Sequence, residues 1–162
     1  MILHLSPLLT LVVDFMAWLV IHVSVSAALY FLKPDIFRPE SWLYRQRFWE
    51  SDGKLYQALF KVKSWKRFLP DGAAVAKNGF RKNQLGTPDA AYLQRFILET
   101  CRAELTHWII FVFSLIFFIW NDWWITLIII AYAYIVNIPC VITQRYNRIR
   151  LKRAVGCILE RK

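Results

Sequence analysis

Two carboxylates, an arginine and a histidine stand directly before a run of nearly pure hydrocarbon. They lie in Glu99-Thr100-Cys101-Arg102-Ala103-Glu104-Leu105-Thr106-His107-Trp108, and the apolar run is Ile109 to Trp120. Ionisable groups at such a boundary are costly unless they are paired or used. With about 100° per residue on a helix, Thr100, Glu104 and His107 fall on one face. Glu99 and Arg102, three apart on a neighbouring face, are spaced to pair. A histidine with a carboxylate at i−3 can take a proton from a hydroxyl, while the carboxylate orients the imidazole and stabilises the imidazolium. His107 is therefore the candidate general base and Glu104 its orienter. No serine or cysteine is well placed as nucleophile: Cys101 is about two turns away and offset by about 120°. Direct transfer to an acceptor alcohol is then more economical than a covalent intermediate. Glu-x-x-His is also half of a di-iron motif, but that motif needs a second copy and further carboxylates in the spans. The sequence has neither, so no metal is expected.

The elements that must position these groups are membrane spans. Of the 162 residues, 57% are apolar and 17% aromatic, with 8 tryptophans, which suits spans with interfacial anchors. The net charge of +10 admits two partners. Nucleic acid would want basic residues and exposed aromatics on a soluble fold, whereas anionic phospholipid wants basic residues beside hydrophobic spans. The spans favour lipid, and no nucleic acid is expected. Cys101, Cys140 and Cys157 show no metal-ligand spacing and read as reduced. No Gly-rich phosphate loop is present.

Leu8 to Leu32 forms the first span, about 37 Å as a helix. It reads as a span rather than a cleaved leader, since no Lys or Arg precedes it. Asp14 and His22 interrupt it and are expected to face other helices or sit near a boundary. Lys33-Pro34-Asp35 ends it. From 36 to 86, aromatics (Trp42, Phe48, Trp49, Tyr56, Phe60, Trp65, Phe68) interleave with Lys and Arg. Leu55, Leu59 and Val62 recur at helical spacing, which predicts short amphipathic helices in the headgroup layer; an RNA-binding surface could look similar. Asp52-Gly53, Asp71-Gly72 and Asn78-Gly79 mark turns. Thr87-Pro88-Asp89 predicts a helix start, with Thr as N-cap and Pro at the first helical position. From there nothing breaks the helix until the turn at Asn121-Asp122, so its first half must stand outside the hydrocarbon. Trp120, Trp123 and Trp124 flank that turn as interfacial anchors. Trp123 to Thr143 forms the third span, and Gln144 to Arg153 is a strongly basic exit.

Residues 33–105 hold 14 Lys and Arg, and residues 144–162 hold the other 7. The positive-inside rule puts both in the cytoplasm. The expected fold is thus an all-α integral membrane protein with three transmembrane helices, N-terminus out and C-terminus in. A cytosolic amphipathic-helix insertion separates the first and second spans. The chain reads as a single membrane domain, 1–162, with spans at about 8–32, 103–120 and 123–143. An interfacial segment occupies 33–102 and a basic tail 144–162.

The second and third spans make an antiparallel hairpin about the 121–122 turn, so residues equidistant from it share a depth. Val136 and Asn137 come level with His107, Pro139 with Glu104, and Gln144 with Glu99. This level is about 22 Å from the outer turn, near the cytosolic boundary. Pro139 frees the carbonyl of Ile135, and broken backbone is tolerated in a membrane where it is buried or lines a polar cavity. Asn137, Val141, Gln144 and Arg148 follow one stripe, with Tyr134 at its upper end. Asn137 is a candidate pocket wall that could stabilise an oxyanion; ordinary helix–helix glue by Asn and Gln is the alternative. In the exit, Arg145, Arg148 and Lys152 share one face, and Tyr146, Arg150 and Arg153 another. Arginine forks suit phosphate groups, and an anchor on anionic lipid is the alternative.

These residues resemble a known family, the staphyloxanthin-pathway glycosyl-4,4'-diaponeurosporenoate acyltransferases. The matching stretches are Trp65-Lys66 followed by Asp71-Gly72, then Glu99-Thr100 with Arg102-Ala103-Glu104-Leu105 and His107-Trp108. Asn137 with Pro139, and Gln144-Arg145-Tyr146-Asn147-Arg148 with Arg150-Leu151, complete them. A weaker match covers Trp18 and Pro34-Asp35. The family is similar in being small, integral to the bacterial membrane, and credited with esterifying a sugar hydroxyl of a carotenoid glycoside. Its pattern lacks a His at position 22 and a Cys at position 101, which lowers both as catalytic candidates. The resemblance implies a multi-pass bacterial cell-membrane acyltransferase with its site near the cytosolic face. His107, Glu104 and Asn137 are the candidate catalytic residues. Thr100, Gln144, Arg145, Tyr146, Asn147, Arg148 and Arg150, with Trp65 and Lys66, are the candidate substrate-binding residues. Among them Arg145, Arg148 and Arg150 would hold donor phosphates. The expected partners are a membrane glycolipid acceptor, an acyl thioester donor on coenzyme A or a carrier protein, and anionic phospholipid, with no cofactor. The rival reading is a non-catalytic membrane scaffold or partner subunit.

Overall fold

The computed structural model describes residues 6–68 and 90–160, and every regular element among them is helical. Helix α1, Pro7–Phe31, opens with proline at its first turn, where the missing N–H costs nothing. It ends at Leu32, which is extended; Pro34 then disfavours helical backbone at Lys33. The insertion that follows has 3₁₀ turns at Pro34–Ile36, Phe48–Gly53 and Lys66–Phe68. Two short helices lie between them, α2 (Lys54–Phe60) and α3 (Val62–Trp65). Helix α4 is described from Ala90 to Phe113, and α5 runs from Trp123 to Leu159. Three helical stretches are long and apolar enough to cross a membrane: Pro7–Phe31, Ala90–Ile119 and Trp123–Leu159.

The structure departs from the sequence reading in two places. The segment before the 121–122 turn is not α-helical throughout: Ser114–Ile119 is a 3₁₀ helix. Ser114 Oγ donates to the Phe111 carbonyl at 2.6 Å, offering the backbone a local alternative where the change begins. The stripe through Leu55, Leu59 and Val62 is interrupted, because Lys61 has φ 47° and separates α2 from α3. Leu59 is consequently exposed while Val62 is fully buried. The basic exit is a continuation of α5, which passes through Pro139 without ending. The expected turns at Asp71-Gly72 and Asn78-Gly79, and the helix start at Thr87-Pro88-Asp89, lie outside the described residues.

The chain forms two compact units, Met1–Lys33 with Leu105–Val141, and Pro34–Glu104 with Ile142–Lys162. In the first, Ile21, Val25 and Leu29 of α1 bury against Ile110 and Phe117. Trp18 stands at the centre, its ring 5.1 Å from Phe117, 5.5 Å from His22 and 6.2 Å from Tyr132. Asp14 accepts from Trp120 Nε1 at 2.7 Å and from Asn121 Nδ2 at 2.8 Å, so this intramembrane carboxylate is paired beside the turn. Leu11, Phe15 and Val23 remain exposed along α1, as a lipid-facing surface requires.

In the second unit, Tyr56 and Val62 of the insertion pack on Tyr146 and Ile149 of α5. Leu93 and Ile97 of α4 pack on Val155. Three consecutive left-handed residues, Ser51, Asp52 and Gly53, turn the chain into α2, as the Asp-Gly pair predicts.

Candidate active site

In the first unit, His107 Nδ1 lies 2.8 Å from Asn137 Oδ1. Equal distance from the turn anticipates this meeting. Asn137 Nδ2 donates to the Ala133 carbonyl at 2.8 Å, which settles the amide orientation: reversed, it would set two acceptor oxygens against each other. An amide oxygen only accepts, so Nδ1 of His107 carries the proton. In the neutral imidazole the lone pair is then on Nε2. Asn137 is 2% exposed, and its bond to Nδ1 chooses the imidazole tautomer.

In the second unit, Glu104 and Glu50 are fully buried, and two arginines meet them. Arg145 Nε donates to Glu104 Oε1 at 2.8 Å, its Nη1 to Glu50 Oε1 at 3.2 Å, and its Nη2 to the Leu43 carbonyl at 2.5 Å. Arg148 Nη2 bonds the other Glu104 oxygen, and its Nη1 is 3.6 Å from Cys101 Sγ. The Arg148 guanidinium also sits 5.4 Å from the Tyr44 ring. Glu50 accepts from the Tyr56 hydroxyl and the Arg47 backbone N–H. Burial raises the Tyr44 phenol to about 12, reinforced by Cys101 and Glu104 and opposed by Arg148. Burial and then the hydrogen bond to Glu50 push the Tyr56 phenol up as well. Both tyrosines therefore stay neutral at physiological pH.

Other predicted site residues divide by exposure. Thr100 is fully buried, and its hydroxyl donates to the Ile97 carbonyl at 2.6 Å. Gln144 is 9% exposed, and its Oε1 has no hydrogen-bond partner among the described residues. Tyr146 is buried, and Trp65 packs against its cluster. Lys66 Nζ donates to Asn147 Oδ1 at 3.0 Å, while Arg150 is exposed. Glu99 and Arg102 pair at 2.6 and 2.8 Å, as their spacing predicts.

Comparison with known proteins supplies the family. The family model described as glycosyl-4,4'-diaponeurosporenoate acyltransferase matches residues 39–156. The chain belongs to this acyltransferase family. The protein of that name from Staphylococcus aureus strain Newman is 33% identical over 147 residues, covering 91% of this chain and 88% of the relative. Those from strains bovine RF122 / ET3-1 and N315 are 32% identical over the same shares. No solved structure matches the chain. The family match includes Glu50, Tyr44 and Tyr56, which sequence reasoning missed. Glu50 sits among Arg47, Asp52 and Lys54 and reads as a surface charge. The available signal was the surplus of buried arginines on one α5 face, which demands more than one carboxylate.

The geometry also revises two assignments. Asn137, rather than Glu104, is the group found on His107 Nδ1. One of the two Nδ2 hydrogens of Asn137 goes to the Ala133 carbonyl. Arg145 and Arg148 spend their guanidinium groups on Glu104, Glu50 and Leu43, inside the fold, rather than reaching out for donor phosphates.

Proposed function

We propose that the chain esterifies a sugar hydroxyl of a membrane glycolipid, of the carotenoid-glycoside kind, with a fatty acyl group taken from a thioester. The reading is supported by the family and carried by one observation, the His107–Asn137 hydrogen bond that leaves Nε2 as the basic nitrogen. His107 Nε2 removes the proton of the acceptor hydroxyl as its oxygen attacks the thioester carbonyl. The tetrahedral intermediate collapses, the C–S bond breaks, and the imidazolium returns the proton to the leaving thiolate. Asn137 holds the ring and its tautomer throughout. Glu104, tied to Arg145 and Arg148, is assigned the positioning of α4 and α5 in this scheme. The donor is an acyl group on coenzyme A or on a carrier protein, and the reaction as written uses no metal or other cofactor. The site faces the cytosolic side of the bacterial membrane, where such donors are made. Anionic phospholipid is a companion of the basic surface, and nucleic acid has no part in the scheme.

The test is turnover of a glycolipid acceptor by purified variants at matched protein levels, with lipid extracts of the host compared by mass spectrometry for the acyl ester. His107→Ala is expected to lose about 10²–10⁴ in rate while still inserting and folding. Near-normal turnover by His107→Ala would sink the mechanism, and a purified wild-type protein with no turnover would favour a non-catalytic scaffold.

A further inference from the structure

Most buried or half-buried cations of the second unit are matched by acids. Glu104 and Glu50 take Arg145, Glu104 takes Arg148, Glu99 takes Arg102, and Glu40 takes Lys152. Half-buried Lys66 and the exposed Arg150 beside it depart from this pattern. Among the described residues neither meets a carboxylate, yet both are gathered on one ring. Lys66 Nζ is 5.4 Å from the Tyr146 ring centre, and Arg150 Cζ is 5.6 Å from it. Tyr146 is 3% exposed and wedged among Tyr56, Val62 and Ile149, so the platform cannot swing away. Asn147 Oδ1 takes one of the three ammonium protons of Lys66. Burial, followed by the charges of Arg150 and Lys63, holds the Lys66 ammonium below the usual lysine range. Like charges fixed near one another on a partly desolvated platform are unfavourable alone, and an anion reverses the sign of that energy. A lysine with spare N–H donors beside an arginine fork is phosphate-binding chemistry.

We propose that Lys66, held by Asn147, and Arg150, both seated on Tyr146, bind a phosphate group. Two sources carry that group: the phosphorylated handle of the acyl donor, or the headgroup of an anionic phospholipid. The first rests on the acyl-transfer reading, and the second stands without it. The site keeps Arg150 in the phosphate role that the sequence reading gave to Arg145, Arg148 and Arg150, and adds Lys66 to it.

The experiment uses the full chain in nanodiscs of neutral phosphatidylcholine, with free coenzyme A as the first probe, measured by calorimetry. The second probe is phosphatidylglycerol, measured by its retention in native mass spectrometry. Lys66→Ala and Arg150→Ala are expected to weaken one of the two probes by roughly tenfold or more each, the loss of one charge-assisted contact. Lys66→Arg is expected to restore much of it, and Arg153→Ala, an exposed cation outside the cluster, to change it less than about twofold. Loss of coenzyme A affinity assigns the donor handle, and loss of phosphatidylglycerol assigns the lipid. Unchanged binding of both probes in both alanine variants, with melting temperatures near wild type, overturns the site. Binding is read without turnover, so a wild-type protein that shows these losses in its variants but no acyl transfer would remove the acyl-transfer reading and leave the phosphate site standing.

Discussion

Glu104 has no exposed surface, and its two oxygens are shared out between Arg145 and Arg148. Removing one partner of a buried ion network strands the others, which typically costs ~3–5 kcal/mol. Glu104→Gln is therefore expected to lower the melting temperature and yield in detergent markedly. His107→Ala should lower both less, since it strands a neutral acceptor on Asn137 and no buried charge. Glu50→Gln should be milder than Glu104→Gln, because Arg145 keeps Glu104. A Glu104→Gln protein that melts like wild type but does not turn over would return Glu104 to the chemistry. Part of this site was legible in advance. The His107–Asn137 meeting follows from counting outward from one turn, and the Glu99–Arg102 pair follows from helical spacing. The destination of the arginines was not legible, because a guanidinium on a helix face reads alike whether it meets solvent, phosphate or a buried acid. Only the partner across the fold decides, and Glu50 comes from a segment with no periodicity to place it.

The spans and the insertion obey different rules. Apolar runs long enough to cross a bilayer announce themselves, and α1 falls within a residue of its expected bounds, at Pro7–Phe31. The insertion is built from short helices joined by left-handed residues, and its register is set by packing on Tyr146 and Ile149 rather than by pattern. Two substitutions of opposite sign test this. Gly53 has φ +82°, and an added Cβ would stand 3.4 Å from Tyr146 Cδ2. Gly53→Ala is expected to destabilise by about 1–2 kcal/mol, the usual cost of left-handed backbone for a residue with a Cβ. Lys61 already bears that cost at φ 47°. Lys61→Gly should relieve it and stabilise by up to about 1 kcal/mol, less the added freedom of the unfolded chain. Thermal melts of both variants check the pair. A Lys61→Gly protein that melts well below wild type would mean the left-handed turn between α2 and α3 is not the conformation in the membrane.

For the whole molecule, the distribution of charge is the only quantity that orients it. All 21 Lys and Arg fall in residues 33–105 and 144–162, and none lies before the first span or in the 121–122 turn. Three crossings with the N-terminus and the turn outside satisfy the positive-inside rule. Labelling of introduced cysteines tests this, in a background lacking Cys140 and Cys157 and keeping only the buried Cys101. Asn121 is a poor reporter, because its amide holds Asp14; the exposed neighbour Asp122 is the better one. Asp122→Cys is expected to react with an impermeant maleimide in intact cells, and Glu160→Cys only after the membrane is opened. The outcome bears on the chemistry as well as the topology. His107 lies about 25 Å along the helix axis from the turn, allowing for the longer rise of the 3₁₀ stretch. With the turn outside, the base stands near the cytosol, where thioester donors and the proposed phosphate-binding cations would both be found. The reverse labelling pattern would carry the base and all the basic residues to the outer face, away from any acyl thioester. It would leave the family's chemistry without a donor at this site.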